Sequence, residues 1–251
     1  MRIVGLETTP FHVMSYETSG PGGKIRRAEL PFLRAESPGA SATGPLLFSA
    51  DLQGRVDGDL LGVALAEEIE LLVELNEMPR PAGIVLVGDL YDHPELRKLG
   101  ASGDVTEVFS ALRTVAPVIG VLGNHDRMEG DVPKGCAVLD GDVQDWRGIA
   151  VGGVGGIIGS PKRPMRRSAA EFQGALRQVL SKRPDLLLLH QGPPGRQDQI
   201  GSDEIKDVLR SSRELLLACG HCHWQDPLGE LGNVQILNVD ARVVLVTSST
   251  T

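Results

Sequence analysis

Five short apolar segments of this chain each end at side chains of the kinds that bind metal ions. The segments and the polar residues that follow them are 46–50 before Asp51-Leu52-Gln53, 84–87 before Gly88-Asp89, 118–122 before Gly123-Asn124-His125-Asp126, 186–189 before His190, and 215–218 before Gly220-His221-Cys222-His223. Such a short apolar run predicts a buried strand. Because α/β proteins bind ligands beyond the carboxyl ends of their strands, the repetition predicts one polar site assembled from several strand ends.

Amphipathic segments alternate with these strands. A helix is predicted over 57–77, a second one starts near Asp104, a third one starts at Ser168, and a shorter one covers 203–210. Glu107 and Glu171 complete capping-box patterns at the second and third starts. Strand and helix alternate here, which indicates an α/β fold with a largely parallel sheet. The last two apolar runs, 234–237 and 243–246, leave no room for a helix between them, so we expect part of the sheet to be antiparallel.

Residues 1–45 precede the first strand of this pattern, and we expect them to be an N-terminal extension of the same domain formed by 46–251. A chain of 251 residues fits one domain. The extension holds a strand-like segment, 11–16, between breaker-rich stretches, and it is basic. Edge strands joined by loops are one interpretation of it. A lid or a phosphate-binding arm over the site is the other.

Composition and charge narrow the class of protein. No apolar run approaches the roughly 20 residues that cross a membrane, and the N-terminus shows no signal-peptide pattern, so we expect a cytoplasmic protein without a membrane partner. Three cysteines give no even disulfide framework. The net charge of −8 and the 4% aromatic content argue against a nucleic-acid partner. Basic stretches near Lys24 and at 162–167 leave two interpretations open: solvated loops, or contacts with an anionic substrate or nucleic acid.

Four of the six histidines lie at the predicted strand ends. In Gly220-His221-Cys222-His223 an extended backbone would direct both imidazoles to the same side, while Cys222 would point away and pack. Each imidazole could then bind a different ion of a close pair. Imidazole together with carboxylate oxygen suits Mn, Fe, Zn, Co or Ni better than Ca.

The ordered set of motifs resembles the calcineurin-like metallophosphoesterase superfamily. The motifs that carry the resemblance are Gly88-Asp89-Leu90-Tyr91-Asp92, Gly123-Asn124-His125-Asp126, a single strand-end His190, and Gly220-His221-Cys222-His223. They occur in the order of that superfamily, and the similarity extends over about residues 46–240. The resemblance implies a four-layer α/β/β/α sandwich with a dinuclear metal site at the carboxyl ends of the strands.

The resemblance also implies a role for each site residue. Asp89 would bridge two divalent ions, Asp51 and His223 would bind the first ion, and Asn124, His190 and His221 would bind the second. His125 would face the scissile phosphate without binding metal. Asp92 would accept a hydrogen bond from His125 and fix its tautomer.

Two positions depart from the family pattern. The first motif is usually Asp-x-His, and here Gln53 occupies the position of the histidine. Its amide oxygen is a weaker ligand than imidazole, so we expect a weaker first site with a preference for Mn. The second departure is His93-Pro94 after Asp92, where Ser/Thr protein phosphatases have Arg-Gly, which argues against that subfamily.

The function we expect is hydrolysis of a small phosphomonoester or phosphodiester, with a nucleotide-like substrate favoured. A hydroxide bridging two divalent ions would attack phosphorus, and His125 would stabilise or protonate the leaving oxygen. With Asp51 and Asp89 as the only carboxylates, the cluster would keep about one positive charge and attract the anionic substrate. The alternative is a non-catalytic or weakly catalytic scaffold on the same fold. Gln53 favours that alternative, and the intact Asn124-His125 pair argues against it.

Overall fold

The computed structural model of the protein describes residues 1–38, 40–196 and 198–248. The strands are β1 Gly5–Leu6, β2 His12–Ser19, β3 Ile25–Glu36, β4 Leu46–Ala50, β5 Arg55–Val56, β6 Asp59–Leu60, β7 Gly83–Leu86, β8 Gly103–Asp104, β9 Val118–Gly120, β10 Asp126–Arg127, β11 Cys136–Val138, β12 Asp142–Trp146, β13 Ile149–Val154, β14 Ile157–Ile158, β15 Arg166–Arg167, β16 Leu186–Gln191, β17 Leu215–Gly220, β18 Leu228–Leu231, β19 Val234–Asn238 and β20 Arg242–Thr247. The α-helices are α1 Ala40–Thr43, α2 Leu61–Glu74, α3 Thr106–Val115, α4 Ala169–Ser181 and α5 Asp203–Leu209, and Pro21–Gly23 form a 3-10 turn.

Two large sheets hold most of these strands. The larger sheet has the order β11-β9-β7-β4-β20-β3-β2-β5-β6, with β1 added alongside β3. Its strands β4, β7, β9 and β11 are parallel, and β20 runs antiparallel to β4. The smaller sheet has the order β12-β13-β16-β17-β19-β18, and its four central strands are parallel. The predicted mixture of a parallel centre with antiparallel additions is confirmed.

Three apolar cores separate four layers. The first core lies between α2/α3 and the larger sheet and includes Leu65 and Phe109. The second core lies between the two sheets and includes Phe48 and Leu188. The third core lies between the smaller sheet and α4/α5 and includes Phe172. Each sheet therefore carries apolar side chains on both faces, and the expected α/β/β/α sandwich is confirmed.

The N-terminal segment is built into the larger sheet. Strand β3 pairs antiparallel with β2 on one side and parallel with β20 on the other. Leu30 and Phe32 pack into the first core, while Leu33 and Ala35 pack into the second. The expectation of edge strands is therefore wrong for 25–36. The first half of β3 is mostly polar, so the apolar side chains that mark a buried strand occur only in its second half.

The first two helices begin later than the sequence predicts. Strands β5 and β6 form a hairpin at the predicted start of α2, with both turn residues, Asp57 and Gly58, at positive φ (50° and 96°). Such a turn matches the twist of a two-residue hairpin, so the helix starts only after it. Helix α3 begins after Asp104, whose carboxylate accepts hydrogen bonds from the Thr106 and Glu129 N–H groups.

The capping box at the third helix is confirmed. The Ser168 hydroxyl accepts from the Glu171 N–H, and the Glu171 carboxylate accepts from the Ser168 N–H at 2.9 Å. Both bonds satisfy donors that an uncapped helix start would leave exposed. Among the helices of the described residues, none is both long enough and apolar enough to cross a membrane.

Candidate metal centre

The polar ends of strands from both sheets meet at one edge of the sandwich. Asp51 follows β4 and Asp89 lies just beyond β7 in the larger sheet, while His190 lies in β16 and His221 follows β17 in the smaller one. The His190 Nδ1–H donates to the Val87 carbonyl at 2.8 Å, which directs Nε2 toward the site. The His221 N–H donates to Asp51 Oδ2 at 2.9 Å. These two bonds tie the sheets together at the candidate ligands themselves.

Three candidate ligands have an uncommon backbone conformation. Asp51, Asp89 and His221 lie at φ 54°, 55° and 68°, in the left-handed region. A non-glycine residue held there costs on the order of 1–3 kcal/mol, and such strain concentrates at functional sites. The strain is kept because the chain must turn abruptly at each strand end to direct these side chains into the site.

Two glycines allow the carboxylates to pack against backbone. A Cβ at Gly123 would overlap the Asp89 carboxylate, and one at Gly220 would overlap the Asp51 carboxylate. Any larger residue at either position would displace a candidate ligand. The glycines that precede Asn124 and His221 in the sequence are therefore packing requirements of the site.

The tightest cluster of candidate ligands consists of Asp89, His190 and His221. Their ligand atoms all lie within 4.8 Å of one another. His190 Nε2 is 3.3 Å from Asp89 Oδ2, and the His190 and His221 rings pack edge to face with centroids 5.1 Å apart. One carboxylate with two imidazoles is a donor set that suits a first-row transition metal.

Two buried ligand-type atoms have no hydrogen-bond partner among the described residues. They are Asn124 Oδ1 and His190 Nε2, which lies in a side chain with no exposed surface and has only its ion-pair contact with Asp89 Oδ2 at 3.3 Å. Buried polar atoms are almost always paired, so an orphaned atom needs an explanation. Asn124 directly precedes His125, whose N–H donates to Asp89 Oδ1 at 2.9 Å. A cation bound next to Asp89 would satisfy both atoms, and the residues present fit a metal ion.

The electrostatics of the cluster favour a positive charge. Burial opposes the ionisation of Asp89, but His190 outweighs it and lowers the pKa of Asp89 to about 2. Burial likewise opposes protonation of His190, yet Asp89 outweighs it and raises the pKa of His190 to about 10. Burial and the charge of His190 lower the pKa of His221 to about 4, and burial raises the pKa of Asp51 well above its usual range. The potential that holds a proton on His190 would also hold a cation.

A cavity of about 370 Å³ opens over this cluster. Its wall is formed by Tyr16, Thr18, Asp51, Gln53, Asp89, His125, His221, Asp240 and Ala241. Five of the residues predicted for the site thus share one cavity. Tyr16 and Thr18 belong to β2, so the N-terminal segment contributes to the cavity wall.

Asp240 is a carboxylate in this wall that the sequence analysis did not select. It forms a β-bridge with Ala50, the residue before Asp51. The sequence pattern could have identified Asp240, because it follows an apolar run, as the predicted ligands do. The cavity wall thus holds three carboxylates, Asp51, Asp89 and Asp240, where the expected site counted two.

The hydrogen bond predicted between Asp92 and His125 is not made among the described residues. The Asp92 carboxylate accepts from the Thr18 hydroxyl, the Ser19 N–H and hydroxyl, and the His93 N–H, at 2.6–3.1 Å. These donors occupy its oxygens, so Asp92 anchors β2 to the loop after β7. The neighbour of the His125 ring is Ser102, whose hydroxyl lies 3.4 Å from Nδ1.

His223 lies away from the cavity wall. The prediction that His221 and His223 face the same side assumed an extended backbone, but the chain turns here, and the Cys222 N–H donates to the Gly220 carbonyl. The His223 ring is exposed, and its Nδ1 lies 3.4 Å from Asp240 Oδ1. In this arrangement His223 contacts a neighbouring carboxylate of the site.

Asp126 holds the site's two central loops together. Its buried carboxylate accepts from the N–H groups of Asp89 and Leu90, both at 2.7 Å, and of Gly123 at 2.8 Å. The first two donors lie after β7 and the third after β9. The position of Asp89 relative to Asn124 therefore depends on Asp126, which the sequence analysis left without a role.

Comparison with known proteins places the chain in a family. The family model described as calcineurin-like phosphoesterase matches residues 44–225, which is most of the chain, so the protein belongs to the calcineurin-like phosphoesterases. Membership makes it a metal-dependent phosphoesterase in the general sense and confirms the resemblance seen in the motifs. Among solved structures, a dimetal phosphatase from Danio rerio is similar at 13% identity and a TM-score of 0.43, over 79% of this chain and 87% of that one. No curated protein matches the chain.

Proposed function

We propose that this protein hydrolyses a small phosphomonoester or phosphodiester, with a nucleotide-like substrate favoured, using two divalent cations. The observation that carries the proposal is the cluster of Asp89, His190 and His221, together with the buried Asn124 Oδ1, which has no hydrogen-bond partner among the described residues. The cavity has room for a small ligand, and an anion would bind there through the cations, because the wall itself holds three carboxylates.

The chain offers ligands for both cations. Asn124, His190 and His221 would hold one ion, Asp51, Gln53 and His223 the other, and Asp89 would contact both. Divalent cations in such a site lower the pKa of water and offset negative charge on phosphoryl oxygens. The mixture of carboxylate, amide and imidazole donors favours Mn, with Fe, Zn, Co and Ni as the other candidates.

His125 is the group placed to move a proton. Its ring lines the cavity, and a Cβ at Gly100 would lie 3.2 Å from its Cε1, so the neighbouring loop backs the ring closely. The Ser102 hydroxyl near Nδ1 can hold one tautomer, which leaves Nε2 to donate a proton to the leaving oxygen. Asp92 contributes indirectly, because it fixes the β2 segment that carries Thr18 into the cavity wall.

The scaffold alternative depends on Gln53 alone. A binding module has no need of a histidine held at the cavity wall where it could protonate a leaving oxygen. His125 lines the cavity, so the enzyme is the better supported function.

The test is a substrate panel on protein stripped with a chelator and reloaded with Mn. Mono-aryl and bis-aryl phosphates and cyclic nucleotides would be compared, with metal content measured on the same samples. We expect Mn-dependent turnover and bound metal, with His125→Ala retaining the metal and losing turnover. Bound metal without turnover on any ester, with any of the five metals, would support the scaffold and refute the enzyme.

A further inference from the structure

Asp240 lies in the turn between β19 and β20 and is bridged to the residue that precedes Asp51. Asp240 forms a β-bridge with Ala50, and the Ala241 N–H donates to the Ala50 carbonyl at 3.1 Å. Because the bridge pairs Asp240 with Ala50, Asp240 is one residue out of register with Asp51 across the two segments. Both carboxylates line the same cavity.

The carboxylate of Asp240 is poorly satisfied by the protein. Its side chain is 13% exposed, and its closest polar contact is His223 Nδ1, 3.4 Å from Oδ1. No hydrogen bond to Oδ2 is made within the described parts of the chain. A largely buried carboxylate with a free oxygen carries a desolvation cost that a cation would remove.

Gln53 leaves this side of the cavity short of a strong ligand. Its amide oxygen is a weaker donor than the imidazole that would otherwise bind there. His223, the other expected ligand of this ion, is turned toward Asp240. Asn124 Oδ1, buried and without a hydrogen-bond partner among the described residues, points independently to a cation at this site.

We propose that Asp240 is a ligand of the first metal ion and compensates for the weak donor at Gln53. This inference rests on the proposed metal-dependent function. His223 then either binds the same ion or orients the Asp240 carboxylate through the contact already present. A first site with three carboxylates, Asp51, Asp89 and Asp240, is harder than an imidazole-rich one and suits Mn better than such a site does.

The inference is tested by Mn binding to stripped protein, measured by titration calorimetry and elemental analysis. Asp240→Asn keeps the shape of the side chain and removes its charge, and Asp145→Asn, on an exposed strand residue, is the matched control. We expect wild type and the control to bind two Mn ions. In Asp240→Asn one site should weaken by at least about tenfold, the lower bound for losing a group that supports a metal.

Two further measurements separate ligation from a structural role. Without metal, Asp240→Asn should unfold at the same or a higher temperature than wild type, because one of three neighbouring negative charges is gone. Adding Gln53→His to Asp240→Asn should restore the second Mn ion by returning an imidazole to the site. Metal-free Asp240→Asn that unfolds at a lower temperature, with no restoration by Gln53→His, would overturn the inference in favour of a structural role.

The remaining outcomes distinguish the two proposals. Two Mn ions bound with unchanged affinity in Asp240→Asn would overturn the role of Asp240 and leave the metal-dependent function standing. Absence of Mn binding in wild type would overturn both proposals at once.

Discussion

Asp126 offers the sharpest test of how the site is held together. Its side chain is 1% exposed, and its carboxylate accepts three backbone N–H groups at 2.7–2.8 Å. Asp126→Ala removes every acceptor and leaves three buried donors unpaired. Asp126→Asn keeps the shape of the side chain and the oxygen that accepts from Asp89 and Gly123. The Leu90 N–H, which donates to the other oxygen, would then face an amide NH₂ group.

The expected loss in the free energy of unfolding follows from the number of hydrogen bonds that each substitution removes. A buried donor left unsatisfied costs about 1–3 kcal/mol, so three donors set a range of roughly 3–9 kcal/mol. Local relaxation brings the expected loss for Asp126→Ala to about 4 kcal/mol, near the upper end for single substitutions. Asp126→Asn loses one bond and should cost about 2 kcal/mol. In a chain of this length these losses lower the melting temperature by about 8–16 °C and 4–8 °C respectively.

The assay is urea unfolding of chelator-treated protein, followed by circular dichroism, with Asp131→Asn as an exposed control. The control should match wild type to within about 0.5 kcal/mol. The order of stability should be wild type, then Asn, then Ala. An Asp126→Ala protein within about 1 kcal/mol of wild type would refute the reasoning, because one unpaired buried donor alone should cost that much.

Three further substitutions test other parts of the structure. Gly54→Ala should destabilise by about 1–3 kcal/mol in urea unfolding, because its Cβ would overlap the Tyr16 ring; an unchanged midpoint would contradict that packing. Ser168→Ala should cost about 1 kcal/mol, since it removes the hydroxyl that caps α4; a Glu171→Gln control, which keeps an acceptor, should lose less. His125→Ala should lower kcat by about 10²–10⁴-fold at unchanged metal content; equal turnover in steady-state assays would remove it from the proton-transfer step.

Local sequence signals predicted the strand ends, the alternation of strands with helices and five residues of the cavity wall, and the family resemblance implied the four layers. Each candidate ligand follows its own apolar run. Because parallel strands end at the same edge of a sheet, these residues are expected to lie close together. Asp51, Gln53, Asp89, His125 and His221 accordingly share one cavity wall. The Ser168 capping box was equally readable, because both partners lie within one turn of helix.

Features that depend on distant partners were not predictable in the same way. Strand β3 is interior only because β20, some 200 residues later in the chain, pairs with it. Asp240 enters the site through its bridge to Ala50, and Asp92 is occupied by donors from β2. The prediction for His223 failed for a local reason. The chain turns at His221, so the alternation of side chains along an extended strand does not apply there.

The most direct test of the two-metal centre is anomalous diffraction from crystals soaked in Mn. We predict two peaks in the cavity, separated by about 3.5–4 Å as in two-metal hydrolytic sites. One should lie against His190 Nε2 and Asn124 Oδ1, and the other against Asp51 and Asp240. A map whose Mn peaks lie only on exposed carboxylates, with none in contact with Asp89, would contradict the account.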